Sequence, residues 1–244
     1  MLTVTKLSKT FNEVQALREL SFSAPDGQIT GLLGPNGAGK TTCLRIIYGL
    51  LKADQGKALI NQVDANRFPL DARRQIGIFP DKFGLYERLT VNEQIRYFAQ
   101  LHGVAGEQLE QRVSAVIEQL DIQALSGRRS AGFSQGQRMK VALAQALVHQ
   151  PNHLILDEPS RGLDVMSTRI LRDILREQRG QGTCILFSSH VMQEVAALCD
   201  RVVVMANGTV AAEGTPDELC RMTGEAALEE AFVKIIGSDE GIVA

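Results

Sequence analysis

A glycine-rich segment at residues 34–41 constrains the fold of this chain more than any other feature. It fits the pattern G-x-x-x-x-G-K-[ST], in which backbone N–H groups curl around an anion that no Cβ obstructs. Residues 28–33 before it predict a buried strand, and residues 43–48 after it predict a helix. A true phosphate loop lies on such a strand-to-helix turn, so the context predicts phosphate binding. The candidate phosphate-binding residues are Gly34, Pro35, Asn36, Gly37, Ala38, Gly39, Lys40, Thr41 and Thr42.

An apolar run ending in two carboxylates, Asp157 and Glu158, predicts a central strand that delivers both to the rim of a sheet. There Asp157 can help the Thr41 hydroxyl to hold Mg²⁺. Glu158, a second carboxylate not on the metal, can orient and deprotonate the water that attacks a γ-phosphate. Alone, this segment reads as a strand end capped by a turn. Together with the loop at Lys40, the two carboxylates predict hydrolysis of a nucleoside triphosphate.

A third segment, residues 133–137, opens an apolar-periodic stretch. Ser134 and Gln137 have the spacing of a capping box at a helix start. Gly136 and the exposed N–H groups of that first turn also form an anion site at the positive end of a helix dipole. The chain therefore carries two candidate phosphate-binding helix ends.

These segments resemble the ATP-binding subunits of ABC transporters, whose signature Leu-Ser-Gly-Gly-Gln appears here as Phe-Ser-Gln-Gly-Gln. Other family features follow in the family's order over nearly the whole chain. Phe11 matches the aromatic residue that stacks on adenine, residues 161–164 match the loop after the acidic pair, and His190 matches the histidine that reaches the γ-phosphate. The resemblance implies an α/β P-loop NTPase core with an inserted helical subdomain, and ATP and Mg²⁺ as cofactors.

Two positions depart from the family pattern. The family usually places a glutamine that senses Mg²⁺ and the attacking water where Asp81 stands here. A carboxylate can still face the metal or accept from water, but it adds charge and loses the amide donor. Gln135 replaces a commoner glycine in the signature, which a side chain pointing away from nucleotide would tolerate.

No internal repeat appears, which predicts one nucleotide-binding domain over residues 1–244. Its core covers about 1–80 and 150–215, and apolar residues at helical spacing predict a helical subdomain over about 85–150, with a break at Gly103 and Gly106. An Asn207-Gly208 turn joins two short strands. Residues 216–244 form a short tail of one or two helices.

The charge, the hydropathy pattern and the cysteine spacing limit the classes of function that the chain can have. A net charge of −2 with scattered Lys and Arg argues against a nucleic acid partner. No apolar run approaches the length of a membrane span and no signal-peptide core opens the chain, so we expect a cytosolic protein. The four cysteines have no metal-binding spacing and indicate neither a metal site nor a disulfide framework. Cys43 has two readings: a thiol whose pKa is lowered by a helix dipole, or a buried inert thiol.

The resemblance also implies partners. In the family, two copies close head to tail around ATP, so that Lys40 of one and Ser134, Gly136 and Gln137 of the other hold each nucleotide. The protein that the ATP-binding subunits drive would be a separately encoded integral membrane permease, which would hold them at the inner face of the membrane. Residues 84–90, 188–195 and 229–234 look most like bacterial sodium-efflux (NatA-like) exporters, which makes sodium export an expectation.

Other classes of protein fit less well. ABC ATPases of translation normally carry two cassettes in one chain, and chromosome-type ATPases split theirs around a long coiled coil. A soluble ABC-type ATPase without a transport partner remains an alternative. A P-loop kinase or GTPase is a second alternative, but it would lack the signature segment.

Overall fold

A computed structural model describes residues 1–82 and 84–237. Strands and helices alternate along most of this part of the chain, as the sequence predicts. The strands are β1 (Leu2–Phe11), β2 (Val14–Ala24), β3 (Ile29–Leu33), β4 (Gln55–Ile60), β5 (Val63–Asp64), β6 (Ile76–Phe79), β7 (His153–Asp157), β8 (Cys184–Ser189), β9 (Arg201–Ala206) and β10 (Thr209–Gly214). The α-helices are α1 (Lys40–Ile47), α2 (Pro69–Arg73), α3 (Val91–Leu101), α4 (Glu107–Gln119), α5 (Gln135–Leu147), α6 (Val165–Gly180), α7 (Met192–Leu198), α8 (Pro216–Thr223) and α9 (Leu228–Ile236).

The strands form two sheets. The larger has the order β10-β9-β3-β8-β7-β6 and is parallel from β9 to β6, with the β9–β10 hairpin turning at Asn207-Gly208 as predicted. The smaller is antiparallel, with the order β2-β1-β4-β5. The first 80 residues, predicted as one core segment, are therefore divided between two sheets. The catalytic candidates follow β3, β7 and β8, whose carboxyl ends meet at one edge of the parallel sheet.

Two hydrophobic clusters hold these layers together, and the strands of the parallel sheet contribute to both. Leu154 and Leu156 pack with the helices in one cluster, whereas Ile155 packs in the other, which contains α1 and the antiparallel sheet. This alternation follows from the period of two in a strand. The five residues of β7 are all buried, so the strand holds Asp157 rigidly at its end.

The helical subdomain contains α3, α4 and α5. Its first two helices lie on either side of Gly103 and Gly106, as the sequence predicts. The helix after the phosphate loop begins at Lys40, three residues before the predicted start, because Gly39 is its N-cap. The tail contains α8 and α9 up to residue 236, and the predicted extension over 238–244 lies outside the described residues. Every helix in the described ranges is too short or too polar to span a bilayer.

Candidate active site

The phosphate loop connects β3 to α1 and depends on its glycines. Gly39 has a φ of 99°, and a Cβ there would lie 2.6 Å from the carbonyl oxygen of Ala16. A Cβ at Gly34 would lie 2.5 Å from the carbonyl oxygen of Met205. Both distances are shorter than any real contact of a Cβ, so only glycine fits. The backbone of β2 and β9 thus fixes the shape of the loop.

Lys40 lies at the bottom of the cleft formed by this loop, with 7% of its surface exposed. Its Nζ donates hydrogen bonds to the carbonyl oxygens of Gly34, at 2.6 Å, and Pro35, at 3.2 Å. The Glu158 carboxylate lies 3.8 Å away. Burial lowers the pKa of Lys40, although Glu158 and Asp157 oppose that shift. The chain therefore places a fixed cation where the loop would hold phosphates.

Thr41 and Asp157 face each other across the end of the parallel sheet, with Thr41 Oγ1 3.5 Å from Asp157 Oδ1. Asp157 is held by Ser188, whose hydroxyl donates to Asp157 Oδ1 at 2.5 Å. Ser188 reaches it because β7 and β8 pair in register, Asp157 opposite Ser188. Sequence reasoning did not assign Ser188 a role; two serines ending an otherwise apolar strand were the available signal.

Glu158 has the left-handed backbone conformation, with a φ of 49°, which is uncommon for a residue with a side chain. Its N–H is fixed by the carbonyl and hydroxyl oxygens of Ser188, at 3.2 and 3.0 Å. Its Oε2 lies 2.7 Å from His190 Nδ1. Burial raises the pKa of Glu158, while His190 and Lys40 pull it down. A carboxyl group with a raised pKa is suited to accept a proton.

His190 is expected to control the pH range over which Glu158 is ionised. A general base acts only in its deprotonated form. Because the pKa of Glu158 is raised, hydrolysis should be lost at a higher pH on acidification than it would be with an ordinary glutamate. His190→Ala removes a group that lowers that pKa, so the acid limb of the kcat/KM profile should move further upward. His102→Ala, outside the cleft lining, is the control. An acid limb that stays in place would contradict the coupling.

The cleft has a volume of about 400 Å³, and Asp81 lies on its lining. The Asp81 carboxylate accepts a hydrogen bond of 3.0 Å from Arg161 Nη1. Arg161 lies in the loop after the acidic pair and also lines the cleft, as does Ala16, which sequence reasoning missed. Where the family resemblance predicts a glutamine, the chain therefore has an ion pair between two loops. The remaining lining residues are Pro35, Asn36, Gly37, Ala38, Gly39, Lys40, Thr41, Thr42, Glu158 and His190.

Asp81→Gln restores the residue common in the family and removes the ion pair with Arg161. We expect ATP binding to persist and the rate of hydrolysis, or its stimulation by a membrane partner, to change. Asp81→Ala should reduce partner stimulation more than basal hydrolysis. Both rates should be measured with and without the partner, with Asp71→Ala as a control for loss of an exposed carboxylate. Unchanged rates in both Asp81 variants would make Asp81 a solvated loop residue.

Phe11 and the signature residues do not line this cleft in the described part of the chain. Phe11 ends β1 with 44% of its surface exposed, and Lys9 Nζ lies 5.5 Å from its ring centre. The capping box is confirmed: Ser134 Oγ accepts from the Gln137 N–H at 3.2 Å, and the Gln137 side chain accepts from the Ser134 N–H at 3.1 Å. Ser134 is exposed, so its helix end faces outward.

Of the two readings of Cys43 that the sequence allows, the structure agrees with the buried, inert thiol. None of its surface is exposed, and burial raises its pKa. The reading in which the helix dipole lowers the thiol pKa is wrong, because packing against the antiparallel sheet removes water from the thiol. The first turn of α1 thus supplies a core side chain beside the phosphate loop.

Alkylation of the folded protein is expected to start at Cys220, which is half-buried, whereas Cys43, Cys184 and Cys199 are buried. Thiolates react and thiols do not, so burial protects the other three. Cys220→Ser should abolish rapid labelling, and Cys43→Ser should leave it unchanged. Mass spectrometry of the native protein would locate the label, and fast labelling of Cys43 would contradict the burial.

The sequence model of the ABC transporter family matches residues 17–161, which include the phosphate loop, the signature segment and the acidic pair. The chain belongs to the ABC transporter family. It is an ATP-binding and ATP-hydrolysing subunit of that family, with the cassette fold that the sequence predicts.

This chain is similar to known proteins over nearly all of its length. It is 38% identical over 90% of its length to the ABC transporter ATP-binding protein NatA of Bacillus subtilis (strain 168), covering 91% of that protein. It is 33% identical over 89% of its length to the lipopolysaccharide export system ATP-binding protein LptB of Escherichia coli (strain K12), covering 92% of it. A solved ATP-binding subunit of an ABC transporter superposes with a TM-score of 0.89 at 32% identity, covering 97% of this chain and 100% of that one.

Proposed function

We propose that Lys40, Thr41, Asp157, Glu158 and His190 carry out ATP hydrolysis. The observation that supports this most is the position of the Glu158 carboxylate beside the phosphate loop. Its Oε2 lies 2.7 Å from His190 Nδ1, and its Oε1 lies 3.8 Å from Lys40 Nζ. Lys40 neutralises charge on the β- and γ-phosphates, Glu158 takes a proton from the attacking water, and His190 orients Glu158 and the γ-phosphate. The loop residues from Gly34 to Thr42 bind the phosphates.

The site also fits Mg²⁺. Thr41 Oγ1 and Asp157 Oδ1 lie 3.5 Å apart and are both oxygen donors, which Mg²⁺ prefers. Asp81, which lines the same cleft as Thr41 and accepts a hydrogen bond from Arg161, is proposed as a third oxygen donor. When bound, Mg²⁺ would neutralise developing charge on the phosphate oxygens.

Two copies of the chain are proposed to close around ATP. The Ser134 helix end is exposed and absent from the described lining of the cleft, so a second copy is the source from which it can reach a nucleotide. Ser134, Gly136 and Gln137 would then bind the phosphates in trans, and Phe11 would stack on the adenine of its own chain. A Cβ at Gly136 would lie 2.4 Å from Ser167 Oγ, so any larger residue there would require the Ser167 side chain to move.

The whole chain, residues 1–244, is proposed to be one nucleotide-binding domain. The core would cover about 1–80 and 150–215, the helical subdomain about 85–150, and the tail about 216–244. Closure of such a dimer and its opening after hydrolysis would move a separately encoded integral membrane permease, which would hold the cassette at the inner face of the membrane.

Export, with sodium as the cargo, is the finer proposal, and it rests on the resemblance of residues 84–90, 188–195 and 229–234 to sodium-efflux exporters, beside the overall similarity to NatA. The competing cargo classes are lipopolysaccharide, from LptB at 33% identity, and drugs, from the probable multidrug ABC transporter ATP-binding protein YbhF of Escherichia coli (strain K12) at 32% identity. The test is to purify the chain from its native membrane, identify the integral protein bound to it, and reconstitute both in vesicles. ATP-driven movement of Na⁺ away from the cassette side, lost with Glu158→Gln, would support sodium export. ATP hydrolysis without Na⁺ movement would overturn it.

A further inference from the structure

A second cluster of chemically reactive side chains lies at the sheet edge opposite the phosphate loop. His153 and Cys184 are the first residues of the neighbouring parallel strands β7 and β8, and they pair directly. Paired residues on parallel strands point to the same face, so both side chains leave the sheet together. The amino ends of these strands lie away from Asp157, which ends β7, and from Ser188, which is the last residue but one of β8.

Asp26 approaches this pair from the turn between β2 and β3. Its Oδ1 lies 3.7 Å from His153 Nε2. One candidate ligand atom from each of Asp26, His153 and Cys184 lies within 4.8 Å of the other two. Three segments far apart in sequence therefore converge on a volume that one ion could occupy.

The chemical state of the cluster suits a metal that accepts nitrogen and sulfur. His153 is completely buried, and burial together with the neighbouring Met1 ammonium lowers its pKa, which favours the neutral imidazole that can donate a lone pair. Within the described residues His153 Nδ1 has no hydrogen-bond partner, so the contacts of Nε2 decide the tautomer. Burial raises the pKa of Cys184 to about 11, and its Sγ donates to the Ala24 carbonyl oxygen at 3.3 Å.

The amino terminus, at Met1, is the nearest charged neighbour of the cluster. The Met1 nitrogen lies 3.3 Å from His153 Nε2, contacts Asp26, and donates to Asn61 Oδ1 at 3.1 Å. Asp26 is the exposed member and faces solvent, which gives an ion a route of entry. The buried histidine and cysteine and the exposed aspartate thus form a half-open site.

We propose that Asp26, His153 and Cys184 bind one Zn²⁺ ion. A thiolate, an imidazole and a carboxylate are the ligand types of Zn²⁺, whereas Mg²⁺ takes oxygen ligands, so this site differs in chemistry from the nucleotide cleft. Binding would displace the Met1 ammonium from Asp26 and His153, deprotonate Cys184 with release of one proton to solvent, and replace the bond from Cys184 to Ala24 by an S–Zn bond. The ion would tie the β2–β3 turn to the first residues of β7 and β8.

Cobalt titration tests the site, since Co²⁺ occupies tetrahedral zinc sites and a thiolate ligand adds a charge-transfer band in the near ultraviolet. The full chain, free of any polyhistidine tag and of nucleotide, is titrated in excess Mg²⁺ so that oxygen-only sites are occupied. We expect one equivalent of Co²⁺ to produce the band and one equivalent of Zn²⁺ to abolish it. Zn²⁺ should also raise the thermal midpoint of unfolding.

Variants assign the ligands. Cys184→Ser should remove the band, and Cys220→Ser, the matched control at a cysteine on α8, should retain it. Because Cys184 is buried, Asp26→Asn provides a surface variant that does not disturb the core. It should lower Zn²⁺ affinity by at least about tenfold, since loss of even an outer partner commonly costs about 10–100-fold. The absence of a wild-type band, a band retained in Cys184→Ser or lost in Cys220→Ser, or unchanged affinity in Asp26→Asn would overturn the proposal.

Discussion

Glu158→Gln is expected to lower the turnover of ATP by roughly 10²–10⁴ while ATP affinity is retained, which is the usual contribution of a general base. The amide has nearly the same shape as the carboxylate but cannot accept the proton of the attacking water. The backbone bonds from Glu158 N–H to Ser188 do not involve the replaced group, so the left-handed turn should persist. Lys40 keeps its bonds to the loop carbonyls, so phosphate binding should persist too.

Two readouts distinguish loss of the base from loss of the fold. ATP stays intact in the variant, so the closed dimer should accumulate on size exclusion with Mg-ATP and be absent without nucleotide. Glu177→Gln, an exposed glutamate on α6 outside the cleft lining, is the matched control and should hydrolyse ATP at the wild-type rate. Near-normal turnover in Glu158→Gln would remove Glu158 from the role of base.

Much of the architecture could be predicted because it depends on local patterns. The strand before the phosphate loop, the capping box at Ser134 and the two helices on either side of Gly103 and Gly106 each follow from the spacing of a few neighbouring residues. Helix α1 begins three residues before the predicted start, and its N-cap is a glycine in the left-handed conformation, which gives no side-chain capping signal. Local chemistry thus determines which elements form.

Contacts between distant segments could not be predicted in the same way. Asp81 and Arg161 are 80 residues apart and meet only because two loops lie at one edge of the sheet. Asp26, His153 and Cys184 have no recognisable metal-binding spacing, so the cysteine pattern argued against a metal site. The burial of Cys43 depends on how the antiparallel sheet covers α1, which periodicity does not reveal. In each case register and layer packing decide the contact.

The second large effect concerns the proposed composite site, because one chain carries two candidate phosphate-binding helix ends, of which only the first lines the described cleft. Lys40→Ala removes the cation from the phosphate loop. Ser134→Arg places a long side chain at the exposed start of α5, where it would obstruct the phosphates of a partner's ATP. In the proposed dimer each variant alone would have both sites defective, so each should be nearly inactive.

Loss of the cap itself needs a control, since removing an N-cap costs about 0.5–2 kcal/mol of stability. Thr90 caps α3 with the same capping box, in which its Oγ1 accepts from the Glu93 N–H. Thr90→Arg therefore removes a comparable cap away from the nucleotide cleft and should retain hydrolysis. If Thr90→Arg were as inactive as Ser134→Arg, cap loss would explain both.

Mixing the Lys40→Ala and Ser134→Arg proteins is the most direct test of hydrolysis at a site shared by two copies. After random exchange, about half of the dimers are mixed, and one of their two sites pairs intact Lys40 with intact Ser134. Up to about a quarter of normal sites should return, measured as trapping of labelled ATP beside turnover, because strict coupling between sites could suppress turnover alone. If exchange is demonstrated and neither trapping nor turnover rises above the separate variants, the shared site is contradicted and Ser134 is an ordinary helix cap.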